Sequence, residues 1–142
     1  YPLVFKMKEQ FPNIHISLNG GIKSLKAANE LLSDGIDGVM IGRSAYQQPS
    51  QVLLDADQII FEKEASKSQF DIATDMRQYL KLHLSNGGKP HQVTRHMTGL
   101  FHGFPGSKIW KQILSKGSSS KDIDFYDEAI LAVSASINKF AA

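Results

Sequence analysis

Two glycine-bearing loops and one acid-free stretch hold the residues of this 142-residue chain that are suited to chemistry. The first loop is Asn19-Gly20-Gly21, inside "ISLNGGIKS" at residues 16–24. Adjacent glycines at a strand end cost chain entropy, so such a site needs either a tight turn or a ligand brought close to bare main chain. The second loop is Gly42-Arg43, just before "SAYQQ". Both are expected at the carboxyl ends of successive strands. In (β/α)8 barrels ligands sit at that face, and a phosphate lodges between the loops after the last two strands, against a helix N-terminus. Free main-chain N–H groups, the positive end of a helix and a bidentate guanidinium together suit a phosphate. A tight βα turn accounts equally well for Gly20-Gly21 alone. The second Gly-Arg, about one βα unit later, moves the reading toward phosphate. That signal is shared by many barrels and specifies no reaction.

The third feature is a charge pattern. Between Asp75 and Asp122 no acidic residue occurs, although eight Lys/Arg and four His do. Residues 1–66 carry 6 Lys/Arg against 8 Asp/Glu, whereas residues 67–142 carry 10 against 6. A one-sign stretch of this length points to an anionic partner. On a helix through residues 91–102, His91, Arg95, Thr98 and His102 would share one face, opposite Val93, Met97, Leu100 and Phe101. Lys108 and Lys111 are three apart and project together from the following helix. Cations on one face neutralise phosphates with salt-dependent, largely sequence-independent affinity. Trp110 reads as core rather than as a base-stacking platform, and His96 and His15 as buried, hydrogen-bonded residues.

Composition excludes several classes. With no cysteine among these residues there is no disulfide, thiolate metal site or cysteine nucleophile within them. The five histidines form no spaced ligand set, so no metal is expected. No apolar run approaches the ~20 residues of a membrane span, and no signal-peptide pattern is present. The expectation is a soluble cytoplasmic protein. The chain opens at Tyr1 instead of Met, which suits a processed chain or a piece of a longer one.

Local signals give the elements that must position these residues. Residues 2–10 read as the end of a helix stopped near Phe11-Pro12. "IHISL" (14–18) reads as a strand, Ser24 as the N-cap of a helix through "LKAANELLS", and "GVMIG" (38–42) as a strand buried on both faces. Strand, helix, strand in that order makes a parallel βαβ pair. After Pro49 irregular or short helical structure follows to residue 62, and "EKEASKSQFD" (62–71) reads as a linker. Beyond it every periodicity is helical. Four apolar stripes run through Ala73–Leu84, Val93–Phe104, Ile109–Leu114 and Tyr126–Phe140, broken at "SNGGKP", "HGFPG" and "KGSSSKD". Two parallel strands do not make a stable sheet alone. The expected architecture is therefore α/β then all-α: the last strands and helices of a (β/α)8 TIM barrel over residues 1–62, followed by a C-terminal helical bundle domain over 63–142.

"SLNGGI" followed by "DGVMIGRSAYQQP" resembles the end of the flavin-dependent tRNA-dihydrouridine synthases, and "VTRHMTGLFHGFPGSKIWKQIL" is similar to their DusA subgroup. The resemblance covers nearly the whole chain and weakens after about residue 116. The second motif is the more specific, because Arg95-His96-Met97, Gly99-Leu100-Phe101, Gly103 and Pro105-Gly106 occur together in order. The resemblance implies a TIM barrel holding FMN, followed by a helical tRNA-binding domain. It implies reduction of D-loop uridines of the U20/U20a type to 5,6-dihydrouridine. NADPH reduces the flavin, hydride passes to C6 of the flipped base, and a cysteine acid protonates C5.

Carried over by position, Asn19, Gly20 and Gly21 match the loop at the flavin's phosphate end, and Gly42 and Arg43 match its partner. Lys108 and Lys111 fall where the subgroup contacts tRNA; Arg95 is added from its place on the helix face. Lysine stands at 108 and 111 where the subgroup favours arginine, keeping the charge and losing the planar fork. The cysteine acid and the earlier barrel strands are absent from these residues, as in a chain starting near the seventh strand. No catalytic residue is therefore assigned, and the 142 residues alone are expected to be inactive, with full FMN affinity lost. Two alternatives remain at this point. One is another FMN or phosphate-binding barrel oxidoreductase, which leaves the acid-free tail unexplained. The other is a non-catalytic RNA-binding helical module, which leaves the βα unit without purpose.

Overall fold

Proline at the first helical position costs nothing, because its missing N–H would be unpaired there. Pro2 accordingly opens α1 (Pro2–Gln10), which stops at Phe11 ahead of Pro12. The computed structural model describes residues 1–64 and 67–141. They fall into two compact units, Tyr1–Ala65 and Ser66–Ala142.

In the first unit α1 is followed by β1 (Ser17–Asn19), α2 (Leu25–Ser33) and β2 (Gly38–Met40). The strands pair in parallel, with Ser17 opposite Gly38, Leu18 opposite Val39 and Asn19 opposite Met40. Ser24 caps α2 as expected, its Oγ accepting the Ala27 N–H at 3.2 Å. Leu18, Ile22, Ala28 and Ile36 form the core, with Val4 and Phe5 of α1 packed on it.

The strands are shorter than "IHISL" and "GVMIG" suggest. Pairing starts at Ser17 because the Asp37 carboxylate takes the Ile16 N–H at 2.8 Å, while Lys8 Nζ donates to the Ile14 carbonyl at 3.1 Å. His15 lies outside the strand and is exposed, with Nε2 3.2 Å from Ser17 Oγ, so the expectation of a buried histidine fails there. β2 is not buried on both faces either. Val39 is half-buried and Met40 is 50% exposed, as follows from a two-stranded sheet with β2 at its edge. Three short helices complete the unit: α3 (Arg43–Gln47), α4 (Pro49–Val52) and α5 (Ala56–Phe61).

The second unit contains α6 (Gln69–Ser85), α7 (Pro90–Thr94), α8 (Ser107–Lys116), a 3-10 turn (Gly117–Ser119) and α9 (Asp124–Ala141). The segment read as a linker over 62–71 partly belongs to α6. Ser68 caps that helix in a reciprocal box, in which Asp71 N–H donates to Ser68 Oγ at 3.2 Å and Ser68 N–H to the Asp71 carboxylate at 2.8 Å. Residues 65 and 66 of that segment lie outside the described residues.

Trp110 is fully buried, and its Nε1 donates to the Met97 carbonyl at 2.9 Å. Its ring meets Phe101 edge-on with centroids 4.9 Å apart, and Tyr126 at 5.6 Å. Phe70 extends the chain of rings at 5.1 Å from Phe101. Tyr126 donates from its hydroxyl to the Ala73 carbonyl at 2.9 Å, tying α9 to α6. At the surface Arg77 and Asp127 tie the same helices by a two-pronged ion pair of 2.5 and 2.6 Å. Some members of the apolar stripes point outward: Phe104 is 37%, Ile109 38% and Phe140 82% exposed.

Candidate functional site

Asn19 ends β1, and the chain must then reverse into α2 within a few residues. Gly20 and Gly21 do this with φ of +143° and +71°, a region that side-chain-bearing residues rarely adopt. A Cβ on Gly20 would meet no atom within 4 Å, so conformation, not crowding, calls for glycine there. The turn alone thus explains the pair. What the sequence left open is what the turn faces. The Tyr1 hydroxyl donates to the Gly20 carbonyl. In a trans peptide the N–H of Gly21 therefore points the opposite way.

Gly42 ends the second segment and leads into α3, so the N–H groups of Arg43 and Ser44 have no helical carbonyl behind them. The two loops meet. Asn19, Gly20, Gly21, Gly42 and Arg43 all line one open cleft of about 480 Å³ at the carboxyl ends of β1 and β2. Ile22, Lys23, Met40, Ser44 and Gln47 complete it. Lys23, Ser44 and Gln47 were missed in the sequence. Lys23 lies two residues past the glycines and Ser44 next to Arg43, so proximity to the motifs was the available signal.

The lining holds two cations, two amides, a hydroxyl and no carboxylate. That donor set suits a phosphate monoester, for which Lys23 and Arg43 supply charge and the amides and hydroxyl supply hydrogen bonds. It does not suit an aromatic ring system, because the apolar lining is limited to the Ile22 and Met40 side chains. The cleft thus suits a phosphate group and not a planar ring system.

The second set of predicted residues is placed differently. Lys108 and Lys111 are exposed on α8, three apart and away from buried Trp110, Ile113 and Leu114. Arg95 is not on a helix face with His102, because α7 ends at Thr94 and Arg95 is its C-cap. Residues 95–106 form successive tight turns, such as Leu100 N–H to Met97 O at 3.0 Å and His102 N–H to Gly99 O at 2.9 Å. Gly103 and Gly106 have φ of +81° and +87°, which no α-helix accommodates. Arg95 is exposed, with Nε donating to His96 Nε2 at 2.9 Å; His96 is itself exposed, which corrects its reading as buried.

Among the described residues no group of three or more His, Cys, Asp or Glu is placed to hold a metal ion. No described helix is long and apolar enough to cross a membrane.

A crossover-linked parallel strand pair with a phosphate-suited cleft at its carboxyl end defines a βα unit of the kind that builds phosphate-binding barrels. Residues 1–137 match the dihydrouridine synthase (Dus) family, and the chain belongs to it. It is 38% identical over 136 residues to the tRNA-dihydrouridine(20/20a) synthase of Salmonella typhimurium, covering 94% of this chain and 40% of that protein. It is 43% identical over 116 residues to the synthase of the same name from Pseudomonas aeruginosa, covering 81% of this chain and 34% of that protein. The Escherichia coli K12 protein of that name is 38% identical over 136 residues, covering 94% and 39%. The chain thus spans about two fifths of the length of the Salmonella and Escherichia relatives. The family is built on a TIM barrel, and the β1–α2–β2 unit is consistent with part of one. Because the match runs through both units, neither an unrelated barrel nor a helical module alone accounts for the chain.

Proposed function

We propose that this chain is the C-terminal part of a tRNA-dihydrouridine synthase, supplying the phosphate end of an FMN site and a tRNA-contacting surface. The observation that carries this reading is the convergence of Asn19, Gly20, Gly21, Gly42 and Arg43 on one acid-free cleft, in a chain of the Dus family. The relatives are named tRNA-dihydrouridine(20/20a) synthases; on this reading the substrate is a tRNA uridine of that 20/20a type in the D-loop, with NADPH as the reductant.

When bound, FMN supplies hydride chemistry. The residues of this chain bind and orient. Arg43 and Lys23 neutralise the phosphate, and the Gly20-Gly21 turn, held by Tyr1, presents main-chain N–H to it. Lys108, Lys111 and Arg95 contact the tRNA backbone from the second unit. No proton donor for the base lies here, since the chain has no cysteine. The last strands of the barrel lie in residues 1–62 and the tRNA-binding domain in 63–142.

The test uses the native gene product containing this chain, purified with its flavin and incubated with NADPH and unmodified tRNA. Mass spectrometry of the nucleosides should show dihydrouridine in the D-loop. No dihydrouridine with a flavin-loaded product would overturn the reading. Arg43→Ala should lower flavin content at purification by about tenfold, in line with the ~1.5–3 kcal/mol of a hydrogen bond to a charged group. The isolated 142 residues should form no dihydrouridine, and tight stoichiometric FMN binding by them would contradict the assignment of a partial site.

A further inference from the structure

A second cavity lies wholly within the helical unit and takes no part in the sites above. It measures about 430 Å³, and its walls include Gly88, Lys89, His91, Ser118, Ser119 and Lys121. These residues come from two loops far apart in sequence, "SNGGKPH" before α7 and "KGSSSKD" after α8. No carboxylate lines the cavity. Neither lysine forms an ion pair among the described residues.

Both walls are fixed by their own hydrogen bonds. Gln92 Oε1 accepts the Lys89 N–H at 2.8 Å and lies 2.9 Å from His83 Nε2. A Cβ on Gly88 would come within 2.2 Å of that His83 ring, so the loop closes down on α6 only because residue 88 lacks a side chain. On the other wall the Ser120 N–H donates to the Gly117 carbonyl at 3.0 Å, and Ser120 Oγ donates to Asp122 at 3.1 Å. Asp122 is thereby engaged within its own loop. The polar lining that remains is two lysines, a histidine and two serines, carried on loops braced by their own hydrogen bonds. Lysine ammonium groups and hydroxyls are phosphate-positioning donors that read no base sequence.

We propose that this cavity is a subsite for a backbone phosphate of the RNA substrate, separate from Lys108, Lys111 and Arg95. The proposal rests on the tRNA reading above and deepens it. A helix face with two lysines gives charge without a seat, whereas a cavity between two braced loops fixes where one phosphate sits.

The native gene product is titrated with an unmodified tRNA transcript over a range of salt, by fluorescence anisotropy. Lys89→Ala/Lys121→Ala should weaken binding about tenfold at moderate salt. It should also flatten the dependence of log K on log salt by roughly 0.7–1.8, the loss of one or two phosphate contacts. Ser119→Glu, which places an acid at the rim, should weaken binding at least as much. Unchanged melting curves confirm that the exposed substitutions leave the fold intact. If the unaltered protein fails to bind tRNA, the tRNA reading falls and this subsite with it. If it binds and the double variant keeps the same affinity and slope, the subsite alone is overturned. Inorganic phosphate is the control. If it shifts the amide resonances of Gly88 and Ser119 at low concentration while tRNA leaves them unmoved, the cavity takes a small anion and the RNA assignment is overturned.

Discussion

Tyr126 shows how a single polar atom is accommodated in an apolar interior. Its ring lies against Trp110, and its hydroxyl reaches the Ala73 carbonyl at 2.9 Å. Burial, with a smaller contribution from the Asp127 charge, pushes the phenol well above its ordinary value. The neutral form is the one the fold stabilises. Stability from this group is therefore complete below the ordinary tyrosine range and is lost as pH rises above about 10, where the unfolded chain ionises first. Tyr126→Phe should lower stability by about 1 kcal/mol near neutrality, the net value of one hydrogen bond. It should also reduce the alkaline loss, read from urea midpoints at pH 7 and pH 10.5. Trp110→Ala removes the centre of the ring chain and should cost about 3–5 kcal/mol, a large share of the ~5–15 kcal/mol that holds a typical small domain together, read as a lowered urea midpoint.

At the scale of elements, the close packing of α9 depends on what residue 117 lacks. Gly117 caps α8 and begins the 3-10 turn, and a Cβ there would come within 2.0 Å of the Phe125 ring. That ring sits one residue before Tyr126, so it cannot yield freely. Gly117→Ala should cost about 1–3 kcal/mol of overpacking, visible as a lower melting temperature with an unchanged far-ultraviolet spectrum. Caps act more gently. Ser24→Ala removes the side-chain acceptor for Ala27 N–H and should cost about 1 kcal/mol, since only one orphan donor loses its partner. The effect should appear in hydrogen exchange of the first turn of α2. α7 is the instructive exception, a five-residue helix where periodicity suggests twelve. The apolar residues of 93–104 do pack inward at Val93, Met97, Leu100 and Phe101, but through turns.

For the molecule as a whole, three carboxylates held below their usual range contribute to acid sensitivity. Asp37 is lowered by the Ile16 N–H and then by Lys8; Asp71 by the Ser68 hydroxyl and N–H; Asp127 by its hydrogen bonds and charge attraction with Arg77. In each case the ionised form is favoured on folding. Their stabilisation is thus complete above the ordinary carboxyl range of about 4, and is lost as pH falls through the lower folded-state values. Asp37 acts in the first unit and the other two in the second, so both should weaken in acid. Melting followed from pH 7 to pH 2 should show a declining midpoint below pH 4, and Asp127→Asn should flatten that decline for the second unit.

The sequence by itself determined the local events. Proline at the start of α1 and after its end, serine before α2, and the glycine clusters each act through neighbouring residues, so the start and stop of α1 and the cap of α2 were legible from the chain alone. It also carried the family, because Asn19-Gly20-Gly21, Gly42-Arg43 and the ordered run from Arg95 to Gly106 are written in linear form. Only the tertiary structure decided how far strand pairing extends, since the Asp37 carboxylate captures the Ile16 N–H from 21 residues away. It alone placed His15 and His96 at the surface and ended α7 at Thr94, because turn bonds and positive φ at Gly103 and Gly106 override an apolar rhythm that helices and successive turns both satisfy. It also brought the two glycine loops to one cleft and the Lys89 and Lys121 loops to another. Neither meeting is written in spacing, because what joins residues across a fold is packing, and packing is settled by the whole unit at once.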